Sequence, residues 1–376
     1  MNLKPFELER MQSENEHRVE FNLSESGVEP LKIKELLDTP ELRDQLLDIQ
    51  LGYSQTNGTV PLREAISYYY PGSTADHIIA TSGGAEANFL ISWWLFQEHP
   101  AKREFVFMVP NYMQIGGIWR NMGVDIKKFN LRMSGGTWTP DIEQLKSIVT
   151  KKTGAIAICN PNNPTGAIIG KDDLKAIVDI AADNDAWLVA DEIYRGAELK
   201  PDKAPSIHGM YDKTLITSSL SKAYGLPGLR VGWAVCPTEQ VAKEIWTYSD
   251  YTTICPSIAS DWMATIALRP EVQAKIETRT REVVRRNWAI MEEWIGSHSD
   301  ILEVVPPEAA AICFIKQNTG LSSYDLVIRL MEEKSVLISP GEHFEVPGYV
   351  RIGFGSNPAH LKPALARISD LLNNLT

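Results

Sequence analysis

The sequence predicts an α/β protein: a large, doubly wound, mostly parallel sheet domain joined to a smaller α/β domain. Three observations lead there. Short apolar runs alternate with longer amphipathic segments through the middle of the chain, the pattern of strands that return through helices to a parallel sheet. At 376 residues and 44% hydrophobic content the chain exceeds what one compact core holds and has the apolar material for two. Beyond about residue 262 the pattern shifts to long, charged, amphipathic stretches and then to two further apolar runs. The expected division is a large domain at 48–265 and a small one assembled from both ends, 1–47 and 266–376.

Composition narrows the function classes. A net charge of −11 and a pI near 5.2 disfavour nucleic acid or an anionic membrane as a partner, since both select a basic face. Arg279, Arg281, Arg285 and Arg286, interleaved with Glu277 and Glu282, are expected to form a solvated helix face rather than a binding patch. Cys159, Cys236, Cys255 and Cys313 are far apart, lie among apolar neighbours and include no Cys-x-x-Cys, so buried free thiols are expected instead of disulfides or a metal site. Residues 1–12 carry mixed charges without an apolar leader, and no run of 18 apolar residues occurs. A soluble cytoplasmic protein is the expectation.

Taken in order, residues 31–47 show helical spacing of apolar positions. Gly52-Tyr53-Ser54-Gln55-Thr56-Asn57-Gly58 is a turn-rich loop that runs into a helix start. Runs 78–81, 105–109, 155–159, 187–190, 215–217 and 231–236 are short and apolar and are expected as strands. The segment 174–182, with Leu174, Ile177, Val178 and Ala181 on one face, is expected as a helix.

Each strand runs into residues that suggest chemistry. Ser82-Gly83-Gly84-Ala85-Glu86-Ala87 opens a helix with small residues, whose free N–H groups and dipole can bind a phosphate. No Gly-x-Gly-x-x-Gly is present, and Gly166-Ala167-Ile168-Ile169-Gly170-Lys171 misses the P-loop spacing, with Asp172 after the lysine. Pro110-Asn111-Tyr112 offers an aromatic face. Asn160-Pro161-Asn162-Asn163-Pro164-Thr165-Gly166 is too rich in turn formers to continue a strand. Asp191-Glu192-Ile193-Tyr194 leaves a carboxylate at an apolar strand end, where ionisation needs a cation. Arg351 interrupts the apolar run Tyr349-Val350-Arg351-Ile352-Gly353-Phe354.

The densest chemistry lies in Ser218-Ser219-Leu220-Ser221-Lys222-Ala223-Tyr224-Gly225-Leu226-Pro227-Gly228-Leu229-Arg230-Val231-Gly232-Trp233. A lysine between hydroxyl residues at a strand end, enclosed by apolar walls, suits Schiff-base chemistry. The arginine eight residues on can hold an anion. Pyridoxal 5′-phosphate (PLP) has both an aldehyde and a phosphate. Taken alone, Ser-x-x-Lys is also compatible with an ordinary strand-to-loop lysine. The penicillin-recognising enzymes share it, but their Ser-Asp-Asn and Lys-Thr-Gly partners do not follow Lys222.

The full stretch closely resembles the lysine motif of the fold-type I PLP enzymes, the class I/II aminotransferase family, and the other strand-end motifs follow in that family's order over nearly the whole chain. The resemblance implies that Lys222 carries the cofactor as an aldimine and moves the substrate Cα proton. It further implies that Gly84, Ala85, Ser219 and Arg230 hold the phosphate, that Tyr112 stacks on the ring, and that Asn163 and Tyr194 bond its phenolic oxygen. Asp191 would meet the ring nitrogen, and Arg351, with Asn163, the substrate α-carboxylate. Tyr53 matches a tyrosine that reaches the neighbouring subunit's phosphate, which implies a homodimer. The implied partners are an amino acid and a 2-oxo acid.

Two departures from the family matter. Ser26-Gly27-Val28-Glu29-Pro30 is not the usual Gly-Glu-Pro form, and Tyr248-Ser249-Asp250-Tyr251-Thr252-Thr253-Ile254-Cys255-Pro256 has no basic residue where dicarboxylate-specific relatives carry an arginine. A substrate other than aspartate or glutamate is therefore expected, with Asp250 favouring a cationic or hydrogen-bonding side chain. Ser26-Gly27-Val28, Asp250-Tyr251 and residues 219–233 also resemble the capreomycidine synthases, relatives that cyclise an arginine-like substrate. The motifs imply a carbanion and leave its fate open.

Overall fold

The computed structural model describes residues 3–98 and 100–375, so the chain-end positions 1, 2 and 376 of the expected small domain lie outside the described residues. Eight strands form the main sheet: β1 (Ile78–Thr81), β2 (Glu104–Val109), β3 (Asp125–Ser134), β4 (Thr137–Pro140), β5 (Thr153–Cys159), β6 (Trp187–Asp191), β7 (Thr214–Ser219) and β8 (Gly232–Val235). Their order is β1-β8-β7-β6-β5-β2-β3-β4. Strands β7, β6, β5, β2 and β3 pair in parallel, while β8 runs antiparallel to both neighbours and β4 is antiparallel to β3.

Alternate residues of one strand enter different cores. Val106, Met108, Ile156, Ile158, Leu188 and Ala190 pack on one face, and Phe105, Phe107, Ala155, Ala157, Trp187 and Val189 on the other. A sheet buried on both faces needs apolar residues at every position, and that made these strands legible as continuous runs. The β3–β4 pair was not among the expected strands. Its sequence alternates charged and apolar residues because β3 is largely open to solvent, with only Phe129 and Leu131 buried.

A four-stranded antiparallel sheet built on β9 (Leu302–Val304), β10 (Ile312–Gln317), β11 (Ser339–Pro340) and β12 (Tyr349–Gly353), with the order β9-β10-β12-β11, carries the C-terminal part. Its apolar cluster takes in Val284, Met291, Cys313, Ile315, Ile352 and Leu365, together with Phe21 and Leu23 from near the N-terminus. Phe21–Asn22 pairs in parallel with Val336–Leu337, which ties the two chain ends together. Helix α1 (Glu7–Asn15) spans the two units: Leu8 belongs to the core of the main sheet and Met11 to the C-terminal cluster.

Three expectations need correction. The single helix over 31–47 is two, Ile33–Leu36 and Pro40–Leu47. Thr39 caps the second through its side chain at 3.3 Å from the Leu42 amide, and Pro40, at the first turn, disfavours helical geometry in the residue before it. The arginine face of Pro270–Gly296 is not merely solvated. Arg281 pairs with the fully buried Glu198 at 2.6 Å, while Arg279 and Arg285 donate to the carbonyls of Glu29 and Leu199. These side chains fasten a long helix to loops whose carbonyls lack strand partners. Finally, all four cysteines are free, but Cys255 is only half-buried.

Candidate active site

Parallel pairing brings the C-terminal ends of β2, β5, β6 and β7 to one edge of the sheet. Strand β1, antiparallel to β8, ends at that edge too, and β8 begins there. Side chains that are far apart in sequence therefore converge where open α/β sheets form crevices. The cleft at this edge is lined by Gly84, Ala85, Tyr112, Asn163, Asp191, Tyr194, Lys222, Arg230 and Arg351 from the expected set. Ser219 is fully buried and lies beside the lining, its hydroxyl accepting the Ser221 amide at 3.1 Å, while Ser221 itself faces the cleft. Tyr53 is 89% exposed and lies outside the cleft of its own chain.

At one end of the cleft, Gly84 and Ala85 open helix α2 (Gly84–Glu98), so unpaired N–H groups and the positive end of the helix dipole meet Arg230. The approach is close. Gly83 has φ +85°, a conformation that favours glycine, and a Cβ there would stand 2.5 Å from Arg230 Nη2 unless the arginine shifted. Arg230 itself has φ 50° and ψ 47°, a left-handed geometry costing a non-glycine residue about 1 kcal/mol.

At the floor, the Asp191 carboxylate accepts from the Ile193 amide at 3.1 Å and Asn88 Nδ2 at 3.3 Å, with no basic side chain paired to it among the described residues. Burial pushes its carboxyl above the usual range, opposed by those two hydrogen bonds. Asn88 is itself fixed by the Thr217 hydroxyl, which donates to Asn88 Oδ1 at 2.7 Å. Asn163 and Tyr194 form a buried relay. Asn163 Nδ2 donates to the Tyr194 oxygen at 3.1 Å, Tyr194 to Ser26 Oγ at 2.9 Å, and Arg351 Nη1 to Asn163 Oδ1 at 2.8 Å. Burial raises the Tyr194 phenol, with Arg351 acting the other way. Arg351 is 1% exposed, and its Nε has no acceptor.

Lys222 was expected between apolar walls. The structure places Glu25 there instead, with Oε2 3.4 Å from Lys222 Nζ. Lys222, and behind it Arg351, hold the Glu25 carboxyl below its usual range, although its side chain keeps 58% of its surface in solvent. Across the cleft the Tyr112 hydroxyl donates to Glu9 Oε1 at 2.7 Å and its ring meets Phe6 edge-on at 5.0 Å. Asp250 and Ser249 lie outside the cleft. Asp250 is exposed on the turn Thr247–Tyr251, and Ser249 is buried against the Trp246 carbonyl.

Sequence reasoning missed Glu9, Gln12, Glu25, Ser26, Asn88 and Gln114 in the lining. Asn88 had a signal, since it stands four residues after Gly84 on the same helix face, and Glu25 and Ser26 lie in or beside the segment already singled out around Gly27.

The donor set fits pyridoxal 5′-phosphate. A glycine-lined helix start with an arginine suits a phosphate, and an aromatic face with an Asn–Tyr pair suits a phenolic ring. The buried carboxylate without a cation suits a protonated ring nitrogen, and the lysine suits an aldehyde.

The model of the family described as aminotransferase class I and II matches residues 42–368. Capreomycidine synthase of Streptomyces vinaceus is 28% identical over 370 residues, covering 97% of this chain and 93% of that protein. The aspartate/prephenate aminotransferase of Thermus thermophilus is 28% identical over 355 residues, 89% of this chain and 88% of that one. The crystal structure of a PLP-dependent aminotransferase from Streptococcus suis superposes with a TM-score of 0.92 at 30% identity, covering 100% of this chain and 99% of the other. No helix among the described residues is long and apolar enough to cross a membrane.

Proposed function

Because the chain belongs to the class I and II aminotransferase family, a PLP-dependent family of enzymes, we propose that it moves the α-amino group of an L-amino acid other than a dicarboxylate onto a 2-oxo acid. The observation that carries this reading is the convergence of Lys222, Asp191, Asn163, Tyr194, Arg230 and Arg351 on one cleft. The bound cofactor supplies an aldehyde that condenses with amines and a ring that accepts the electron pair left on the substrate Cα.

The chain's own groups do the rest. Gly84 and Ala85 amides, Ser219 and Arg230 hold the phosphate, and Tyr112 lies against the ring. Asp191 keeps the ring nitrogen protonated, held in place by Asn88. Asn163 and Tyr194 bond the phenolic oxygen. Arg351, held by Asn163, Ser24 and Ser339, is the cation that would pair with the α-carboxylate. Lys222 Nζ, turned away from Glu25, takes the proton from Cα and later returns one. The division into a large cofactor-binding unit at 48–265 and a small unit from 1–47 and 266–376 belongs to the same reading. The separate C-terminal cluster supports it, while Leu36 and Leu37 pack into the core of the large unit.

The same reading assigns the protein to the cytoplasm and makes it a homodimer in which Tyr53 serves the partner's phosphate. Its exposure supports this, as does that of Leu47, Leu51 and Tyr251 at 81%, 88% and 89%. Sedimentation is expected to give twice the 42.0 kDa chain mass. Tyr53→Phe should weaken cofactor affinity about tenfold, for a lost hydrogen bond to a charged group. An active monomer would refute the arrangement.

The test of the reaction is a panel of amino acids with a 2-oxo acid acceptor, followed by mass spectrometry. A new oxo acid and the aminated acceptor are expected in equal amounts. Neutral or basic donors should exceed aspartate and glutamate in kcat/KM, and a tenfold preference for either dicarboxylate would reject that part. A second reading is a capreomycidine synthase type of lyase or cyclase acting on an arginine-like substrate. The match over 97% of the chain to that synthase favours it. A cyclised or eliminated product without the aminated acceptor would select it.

A further inference from the structure

The cleft lining contains three cations, Lys222, Arg230 and Arg351, and three carboxylates, Glu9, Glu25 and Asp191. On the reading above, Arg230 is committed to the cofactor phosphate, Lys222 to its carbonyl carbon and Asp191 to its ring nitrogen. Arg351, 1% exposed and hydrogen-bonded to Asn163, Ser24 and Ser339 but paired with no carboxylate among the described residues, remains for the α-carboxylate. Glu9 and Glu25 then face the remaining space with no cation. Glu9 makes no ion pair among the described residues and accepts only the Tyr112 hydroxyl, at 2.7 Å. Glu25 meets Lys222 at 3.4 Å with its own side chain 58% exposed, a solvated contact that exchanges at little cost.

We propose that Glu25, with Glu9, forms an anionic wall that selects an amino acid with a cationic side chain, a guanidinium or an ammonium, while Arg351 takes its α-carboxylate. The proposal rests on the assignment of Lys222 and Arg351 given above. Both glutamates line the same cleft as Arg351, the group read above as anchoring the substrate. A second carboxylate in that space meets two like charges, and a neutral side chain leaves both acids without a counterion. A cation satisfies them, with charge-assisted hydrogen bonds. The wall needs nothing from a second subunit, in contrast to Asp250, which lies outside this cleft.

The test pairs binding with turnover, using the holoenzyme. Calorimetry compares 5-guanidinopentanoate, which lacks an α-amine and does not react, with its neutral isostere 5-ureidopentanoate. Turnover compares arginine and lysine with citrulline. The wild type should bind the guanidino acid about tenfold or more tightly than the ureido acid, the discrimination expected of one charge-assisted hydrogen bond. The kcat/KM ratio of arginine to citrulline should move with it, and lysine shows whether an ammonium serves as well. Glu25→Gln should bring both ratios down about tenfold and Glu9→Gln about threefold, on the same scale. If Glu25 serves only to hold Lys222, Glu25→Gln will slow all amino acids alike and leave both ratios unchanged. That result, or a wild-type binding ratio near one, overturns the wall even where oxo acids form normally. Retention of the binding ratio by a protein that converts no amino acid would instead overturn the transamination reading and leave the wall standing.

Discussion

Lys222→Ala is expected to lower kcat by about 10⁴-fold, the loss typical of removing a positioned proton-transfer group that is also the covalent anchor. In the wild type, borohydride reduction should fix the cofactor to the peptide carrying Lys222, and in the variant to none. The alternatives are poorly placed. Lys213 is held by Asp185 at the opposite end of β7, and Lys171 is exposed at the start of the helix Lys171–Asp183. The variant should still take up cofactor, because the phosphate site, Asp191 and Tyr112 do not depend on the lysine. Mapping of the reduced cofactor to Lys213 or Lys171 would end the assignment.

Asp191→Asn removes a charge and keeps the shape, and is expected to lower kcat by about 10³-fold, the scale of a preorganised electrostatic group. The loss should appear in the proton-transfer step: exchange of the substrate α-hydrogen with solvent in a single turnover should slow in proportion. Exchange at the wild-type rate would show that the carboxylate does not stabilise the developing negative charge.

The same variant gives a stability readout without cofactor. Burial raises the Asp191 carboxyl in the folded chain, with the Ile193 amide and Asn88 opposing. A raised folded value favours the neutral form, so the contribution to stability is fully present below the unfolded value and is lost as pH rises through the folded one. At neutral pH the buried carboxyl therefore costs the cofactor-free protein stability relative to acid. Asp191→Asn should raise its Tm by about 2 °C, the shift expected for roughly 1 kcal/mol in a chain of this size. The gain should vanish in acid, where the native aspartate is itself neutral. A lower Tm at both pH values would show that the hydrogen bonds of the carboxylate outweigh its charge.

Alternation of strand and helix, the order of the strand-end motifs and most of the residues that line the cleft were legible in the sequence itself. The reason is local. A strand buried on both faces must be apolar throughout, and where it stops, the backbone needs turn formers and the helix start needs small residues, so 81–87, 159–166 and 217–233 stand out by their residue types. Gly83 is favoured by its φ of +85° at the turn from β1 into α2.

What only the tertiary structure decided is which distant side chains complete the site. Glu9 reaches Tyr112 because α1 packs with Leu8 in one core and Met11 in the other, so the helix lies along the junction between them. Glu25 meets Lys222 because the segment after Phe21–Asn22 is drawn to the cleft by pairing with Val336–Leu337. Glu9 does not differ in its local sequence from a surface acid, and Glu25 is marked only by its place beside Ser26-Gly27-Val28. Charge is placed by long-range packing, and an exposed-looking carboxylate acquires its role only when two cores fix the face it presents.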